Sequence, residues 1–85
     1  MNLQEIQDRV IRVVTETLGL ESSPERVTPE SNFTEDFGAD SLDLTDLILH
    51  LEEEFTIAVL DEEADKITTV QKAIDYIADV LNISE

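Results

Sequence analysis

Residues 40–55 read DSLDLTDLILHLEEEF, and the spacing of their apolar side chains decides the fold class. At ~100° per residue, one side of a helix collects the side chains that would face a core, namely Leu44, Leu47, Ile48, Leu51 and Phe55. Asp40 is well placed to cap the start of this helix, and Asp43 resembles the acidic partner of a capping box. The stretch therefore predicts an amphipathic helix from Ser41 to about Phe55.

Helical periodicity also appears towards both ends of the chain. Residues 3–18 carry an apolar stripe at spacings of three and four, with Asn2 as a cap and Gly19 just past the end. Near the other end, Thr68 or Thr69 can cap a last helix. Its apolar face would consist of Val70, Ala73, Ile74, Ile77 and Leu81. Two further main helices are therefore expected.

The segments between these helices have no sustained periodicity. Residues 20–39 form a long first connection, in which Ser23-Pro24-Glu25-Arg26 predicts a single helical turn. The acidic segment 61–66 predicts one or two turns, and no alternating apolar run supports a sheet. We therefore predict an all-α bundle of three main helices plus one short helix, with a long first loop.

Length and composition narrow the class of protein. The 85 residues are enough for one domain, which we place at residues 1–85. The absence of cysteine excludes a disulfide framework and cysteine-based zinc sites. The first 18 residues resemble neither a signal peptide nor a transit peptide, and no apolar run approaches the ~18–20 residues of a membrane span. We expect a cytoplasmic monomer without stable membrane binding.

The charge is strongly and unevenly negative. There are 21 acids against 5 bases, a net charge of −16, and no Lys or Arg lies between Arg26 and Lys66, where 13 of the acids are found. Nucleic acid is a poor partner for such a surface because its phosphates would be repelled, whereas basic proteins would be attracted. A recognition face for basic partners and a merely solubilising surface are both compatible with this composition.

A second apolar strip lies on the flank of the helix beside Ser41. Leu42, Thr45 and Leu49 are spaced three and four residues apart and are turned away from the core face. Two exposed leucines are ordinary on a protein surface. An apolar patch that is rimmed by carboxylates and lies beside a reactive hydroxyl is nevertheless suited to docking, and we favour that interpretation.

Ser41 itself indicates an attachment point for a group and not a catalytic nucleophile. A catalytic serine needs a base within hydrogen-bond reach, but the only histidine, His50, lies ~13 Å further along the same helix. Because Asp40 is the better cap, Ser41 would stand exposed at the first helical position, where a phosphate ester meets free N–H groups. The alternative is an ordinary helix-start serine. No segment has the ligand pattern of a calcium loop, and no metal site is predicted.

Four short motifs give the chain a resemblance to a known family. In order they are GADSLD (residues 38–43), LEEEF (51–55), DEEA (61–64) and KITTV (66–70). With their spacing and the acidic composition, they resemble the acyl carrier proteins of type II fatty acid and polyketide synthesis. The resemblance covers nearly the whole chain. It implies a four-helix carrier fold and a protein that carries growing acyl chains for fatty acid synthesis enzymes without being an enzyme itself.

The resemblance also implies a cofactor, partners and residue roles. 4′-Phosphopantetheine would be attached to Ser41, between Asp40 and Leu42, by a phosphopantetheinyl transferase. Malonyl transferase and ketosynthases with basic docking patches would be further partners. Besides Asp40, the partner-docking positions, with the flank strip included, would be Asp43, Thr45, Asp46, Leu49, Glu52, Glu53, Asp61 and Asp65. The acyl pocket would be lined by Phe33, Leu44, Leu47, Leu51, Val59, Ala64, Ile67 and Ile74.

One segment departs from the family pattern. After the second main helix the family usually has two acids and a proline, whereas residues 56–60 of this chain read TIAVL. Because an apolar run replaces charged residues near the docking face and the pocket, one alternative is a specialised carrier for a polyketide or other secondary acyl pathway. The other alternative is an acidic structural or regulatory protein whose Ser41 is never modified.

Overall fold

Three long helices form the frame of the protein in a computed structural model that describes residues 1–83. The five α-helices within this range are α1 (Leu3–Thr17), α2 (Phe33–Phe37), α3 (Ser41–Phe55), α4 (Asp61–Ala64) and α5 (Val70–Val80). No strand forms in residues 1–83, and an isolated bridge joins Asn32 to Thr69. None of these helices has both the length and the hydropathy that a membrane span requires. The all-α prediction is confirmed, and residues 84 and 85 of the predicted domain lie outside the described range.

The predicted capping residues begin all three long helices. A side-chain oxygen accepts the backbone N–H three residues further on at 2.9 Å for Asn2, 2.9 Å for Asp40 and 3.1 Å for Thr69. At α3 the arrangement is reciprocal, because Asp43 accepts the N–H of Asp40 at 3.2 Å and completes a capping box. Each cap satisfies an N–H group that has no partner within its helix, so these residues determine where the helices start.

The core lies between α1 and the two helices that pack against it, α3 and α5. From α1, the side chains of Ile6, Val10 and Val14 have no exposed surface. Phe33, at the start of α2, is 1% exposed and joins the same cluster. The buried side chains that α3 and α5 contribute are Leu47, Leu51, Phe55, Val70, Ala73, Ile74, Ile77 and Ala78. Because α3 buries only one face, its remaining faces are left to form a site.

The long first connection is more ordered than its lack of periodicity predicts. It contains the expected turn, a 3-10 helix at Pro24–Arg26, and also α2, which at five residues is too short to show a helical repeat. The Asn32 side chain caps α2 through two N–H groups at 2.9 Å, and Gly38 ends it in the left-handed region at φ 67°. The bundle therefore has two short helices where the sequence predicts one.

Hydrogen bonds fasten this connection to the start of α5. The N–H of Phe33 donates to the carbonyl of Thr68 at 3.0 Å, and the N–H of Val70 donates to the carbonyl of Ser31 at 3.1 Å. The Ser31 hydroxyl is buried and donates to the carbonyl of Arg26 at 3.1 Å. The chain therefore reaches the first residue of α3 from a segment that is held in place.

Candidate functional site

Ser41 is the first residue of α3, and its side chain is exposed. The capping box engages the carboxylates of Asp40 and Asp43 with each other's backbone N–H groups. Within residues 1–83, the N–H groups of Ser41 and Leu42 have no hydrogen-bond acceptor, as is usual in the first turn of a helix. The Ser41 hydroxyl thus lies beside two free donors at the positive end of the helix dipole.

A cavity of about 390 Å³ opens beside Ser41, between α3 and residues 59–68. We call it the Ser41 cavity, and its volume falls within the ~300–1,000 Å³ of ligand pockets. Its apolar lining consists of Leu44, Leu47, Ile48, Leu49, Val59, Ala64 and Ile67, and its polar lining consists of Ser41, Thr45, Glu52, Asp61, Asp65 and Thr68. A group attached to Ser41 therefore has an apolar cavity within reach.

The structure brings five of the eight predicted pocket residues to this cavity: Leu44, Leu47, Val59, Ala64 and Ile67. The other three, Phe33, Leu51 and Ile74, do not line it, and their contact with an acyl chain stays a prediction. Phe33, Leu51 and Ile74 are 1%, 2% and 3% exposed and belong to the central cluster. The cavity lies at the edge of that cluster, so residues on the core face of α3 are divided between the core and the cavity.

Several lining residues were assigned elsewhere by the sequence. Ile48 packs against the core cluster, as its place on the core face predicts, and it also lines the cavity beside Leu44. Five residues predicted to dock partners also line the cavity: Thr45, Leu49, Glu52, Asp61 and Asp65. The predicted docking face and the cavity are therefore adjoining parts of one surface.

The flank strip is exposed, as its spacing predicts. Leu42 is 75% exposed and Leu49 is 50% exposed, while Thr45 between them donates its hydroxyl to the carbonyl of Ser41 at 2.9 Å. Asp43 is half-buried within the capping box. The predicted docking acids that are exposed are Asp40, Asp46, Glu53, Asp61 and Asp65. The surface around Ser41 therefore consists of an exposed apolar strip and exposed carboxylates. The use of this surface in docking stays a prediction.

Like Asp40 and Asp43 in the capping box, Glu52 has a carboxylate that is hydrogen-bonded within the protein. Its Oε2 accepts the N–H of Val59 at 2.7 Å, and the side chain is half-buried. The Glu52 carbonyl also accepts the N–H groups of Thr56 and Ile57 at the end of α3. Glu52 therefore holds the turn that follows α3, and its part in docking stays a prediction.

The Glu54 carboxylate is also bonded within the protein, although its helical angle places it away from the core face of α3. Its Oε2 lies 2.7 Å from Nε of Arg9 and 2.7 Å from Nη2 of Arg12, and its carbonyl accepts from Nη2 of Arg9 at 2.8 Å. The Arg9 guanidinium also lies 4.8 Å from the centre of the Phe55 ring. The hydrogen bond from Arg9, helped by Arg12, lowers the pKa of Glu54 although partial desolvation opposes the shift. These contacts attach α1 to the end of α3.

In the part of the chain that the structure describes, no histidine, lysine or arginine lines the Ser41 cavity. His50 is exposed, its Nδ1 lies 2.8 Å from Oγ1 of Thr17, and it does not line the Ser41 cavity. Within residues 1–83, no group of three or more His, Cys, Asp or Glu side chains is arranged to hold a metal ion. The site offers an exposed hydroxyl and an apolar cavity beside it that can hold an attached group.

A helical bundle with an exposed helix-start hydroxyl beside an apolar cavity defines a small carrier domain. Residues 8–84 match the family model described as the phosphopantetheine attachment site, which covers almost the whole chain. The chain therefore belongs to the phosphopantetheine attachment site family, whose domains are modified covalently with 4′-phosphopantetheine. Carrier domains of this kind work together with acyl-processing enzymes.

The residues at the start of α3 fit the prosthetic group. Its phosphate needs an accessible hydroxyl for the ester bond and donors for its anionic oxygens, and the exposed Ser41 side chain and the two free N–H groups supply both. The capping box directs the carboxylates of Asp40 and Asp43 to each other's backbone N–H groups, and solvent around the exposed Asp40 and Ser41 weakens their repulsion of the phosphate. The donor set at this helix start therefore suits a phosphate ester.

Proposed function

We propose that Ser41 is the residue that carries 4′-phosphopantetheine and that the protein delivers growing acyl chains to enzymes of fatty acid synthesis. When attached, the prosthetic group supplies a terminal thiol that holds the acyl chain as a thioester. The observation that carries this proposal is the Ser41 cavity, because an apolar space of about 390 Å³ opens directly beside an exposed helix-start hydroxyl. An acyl chain held there would be sheltered from water.

Each residue at the attachment point has a distinct role in the proposal. Ser41 supplies the hydroxyl that is esterified, and the N–H groups of Ser41 and Leu42 bind the phosphate oxygens. Asp40 keeps the helix start in place through its bond to the N–H of Asp43. The base that removes the hydroxyl proton belongs to the phosphopantetheinyl transferase. The Ser41 oxygen forms a bond to the phosphorus next to pantetheine in coenzyme A, and the pyrophosphate bond to the nucleotide half breaks, so that adenosine 3′,5′-bisphosphate leaves.

The docking partners follow from the charge around this point. Basic patches on the transferase, on malonyl transferase and on ketosynthases would meet the exposed carboxylates of Asp46, Asp61 and Asp65, and apolar side chains would cover Leu42 and Leu49. Residues 1–85 act as a single carrier domain in this proposal.

A specialised acyl pathway is the second candidate, favoured by the segment after α3. Ile57 and Val59 are half-buried there, and Leu60 is 61% exposed, so this part of the surface is apolar where the family usually has acids and a proline. The acyl species found on protein purified from its own source would distinguish fatty acid from polyketide or other secondary synthesis.

Mass measurement on intact protein tests the proposed attachment. Incubation with a phosphopantetheinyl transferase and coenzyme A should add ~340 Da, the mass of the phosphopantetheinyl group. Ser41→Ala should abolish the addition, whereas Ser22→Ala, which removes another exposed serine hydroxyl, should leave it unchanged. An equal addition on Ser41→Ala would show that another residue is modified. No addition on the unaltered chain would favour the unmodified acidic protein.

A further inference from the structure

Two cavities lie on either side of the same pair of residues in the second half of α3. The Ser41 cavity is lined by Leu49 and Glu52 at one side. A second, shallower groove of about 620 Å³ is lined by these two residues and by Glu53, Thr56, Ile57 and Ala58. We call it the 56–58 groove. Leu49 and Glu52 therefore lie where a half-open, largely apolar cavity adjoins a surface groove that is itself partly apolar.

Glu52 holds this boundary through three hydrogen bonds to the turn after α3. Its carboxylate Oε2 accepts the N–H of Val59 at 2.7 Å, and Val59 lines the Ser41 cavity. Its carbonyl accepts the N–H groups of Thr56 and Ile57, which line the 56–58 groove. The bond to Val59 is charge-assisted and half-buried, and it is the one that a side-chain substitution can remove.

The turn that Glu52 holds is strained. Thr56 adopts φ 55° and ψ 51°, the left-handed region that β-branched residues rarely enter. Strain of this kind persists where surrounding contacts determine the conformation, and it is concentrated at ligand clamps and switch regions. The bonds from Thr56 and Ile57 to the Glu52 carbonyl hold this conformation, and the bond from Val59 to the Glu52 carboxylate attaches the rest of the turn to α3.

We propose that Glu52 determines the length of acyl chain that the Ser41 cavity accepts. While its carboxylate binds the Val59 N–H, the cavity ends at Glu52 and Leu49. When that bond is absent, Val59 can move away from α3, and the chain can continue along Leu49 into the 56–58 groove. This inference rests on the proposed function, in which Ser41 carries the acyl chain.

The test compares chain-length series on the full protein loaded at Ser41. Saturated acyl groups of increasing even carbon number are attached, and the midpoint of thermal unfolding is measured for the unaltered chain, Glu52→Ala and Glu52→Gln. In the unaltered chain the midpoint should rise with chain length, since apolar surface is buried, until the cavity is full. In Glu52→Ala that plateau should move to longer chains by at least one step of the series. Glu52→Gln keeps an oxygen that can accept from Val59 and should retain the original plateau.

Amide hydrogen exchange at Val59 gives a second readout that needs no variant. Chains shorter than the plateau length should leave the Val59 N–H protected. Longer chains compete with the bond between Glu52 and Val59, and since opening that bond costs about as much as the added burial returns, the midpoint stays level while exchange of the Val59 N–H becomes about tenfold faster. If circular dichroism shows that Glu52→Ala does not fold, this measurement alone tests whether Glu52 limits the acyl chain length.

The outcomes separate the two proposals. Identical plateaus in the unaltered chain and a folded Glu52→Ala, or a Val59 exchange rate that is independent of chain length, overturn the role of Glu52 while the attachment at Ser41 stands. A midpoint that does not respond to chain length in the unaltered chain shows that the acyl group does not enter the cavity and also overturns the role of Glu52. Failure to load Ser41 is seen first, in the intact mass, and overturns both proposals.

Discussion

Replacing Glu54 by Gln tests how strongly α1 is attached to α3. The substitution keeps the shape of the side chain and removes the charge that Arg9 and Arg12 approach at 2.7 Å. A hydrogen bond to a charged group contributes ~1.5–3 kcal/mol, whereas an exposed ion pair contributes ~0–1 kcal/mol. Because the Glu54 side chain is 21% exposed and therefore partly screened, we expect the free energy of unfolding at pH 7 to fall by about 1–2 kcal/mol.

The pH dependence of this loss identifies its cause. The arginines lower the pKa of Glu54 in the folded protein below its ordinary value of 4.5. A carboxylate with a lowered pKa stabilises the fold fully above the pKa of the unfolded chain, and this contribution is lost as the pH falls through the folded pKa. The stability difference between the unaltered chain and Glu54→Gln should therefore be constant between about pH 6 and 8 and should shrink below about pH 4.5.

Urea unfolding followed by circular dichroism measures this difference at each pH. Glu53→Gln is the matched control, since it removes the same charge from the neighbouring exposed position. It should leave the stability within about 0.5 kcal/mol or raise it slightly, because the net charge of −16 becomes smaller. Equal losses for the two variants, or a Glu54→Gln loss that persists at low pH, would refute the assignment of this stabilisation to the two arginines.

Two further predictions follow from the helix start and the turn after α3. Asp46→Lys should slow loading by the transferase about tenfold at low salt and weaken the salt dependence of loading, as measured by stopped-flow kinetics. The charge reversal Asp79→Lys on α5 should have little effect. Similar kinetics for both variants would place docking elsewhere. Asp46 is preferred to Asp43 for this test, because reversing Asp43 would also break the capping box. Thr56→Gly should raise the free energy of unfolding by about 0.5–1 kcal/mol, since it relieves ~1–2 kcal/mol of left-handed strain at an entropic cost of ~0.5–1 kcal/mol. Thr56→Val keeps the β-branch and should give no gain in the same denaturation experiment, so equal stabilities of the Gly and Val variants would contradict the strain.

The helices could be predicted where local chemistry determines them. Asn2, Asp40 and Thr69 each satisfy an N–H group three residues away, so their effect depends on nothing beyond one turn of chain. α2 was missed because five residues are too few for a period to appear, although its cap Asn32 and its terminating Gly38 are both visible in the sequence. Its helical state also depends on contacts with the start of α5, which are distant in sequence.

The site could be predicted only in part, for a related reason. The exposed position of Ser41 follows from the cap at Asp40, and the exposure of Leu42 and Leu49 follows from their angle on the helix. The same reasoning cannot distinguish Leu47 from Leu51, since both lie on the core face and only Leu47 lines the cavity. That difference depends on where residues 59–68 pack against α3. Helical periodicity carries no information about this tertiary contact.

The acids at the end of α3 show the same limit. Glu52, Glu53 and Glu54 are consecutive and chemically identical, yet one accepts the N–H of Val59, one is exposed and one pairs with two arginines. Helical angles separate their directions, but the partners come from α1 and from the turn after the helix. A sequence pattern therefore predicts an acidic face but not the partner that each carboxylate contacts.

The pairing of Arg9 and Arg12 with Glu54 also makes the two ends of α3 differ in how far their acids are neutralised. Two of the five basic residues contact the C-terminal end of α3, whereas within residues 1–83 the acids Asp40, Asp43 and Asp46 near its N-terminus form no ion pair with Lys or Arg. We expect a positively charged partner within about 8–10 Å at physiological salt to be attracted less by Glu54, whose charge the arginines already balance, than by these acids. The arginine pairing would thus favour encounters at the attachment end without adding a charge there.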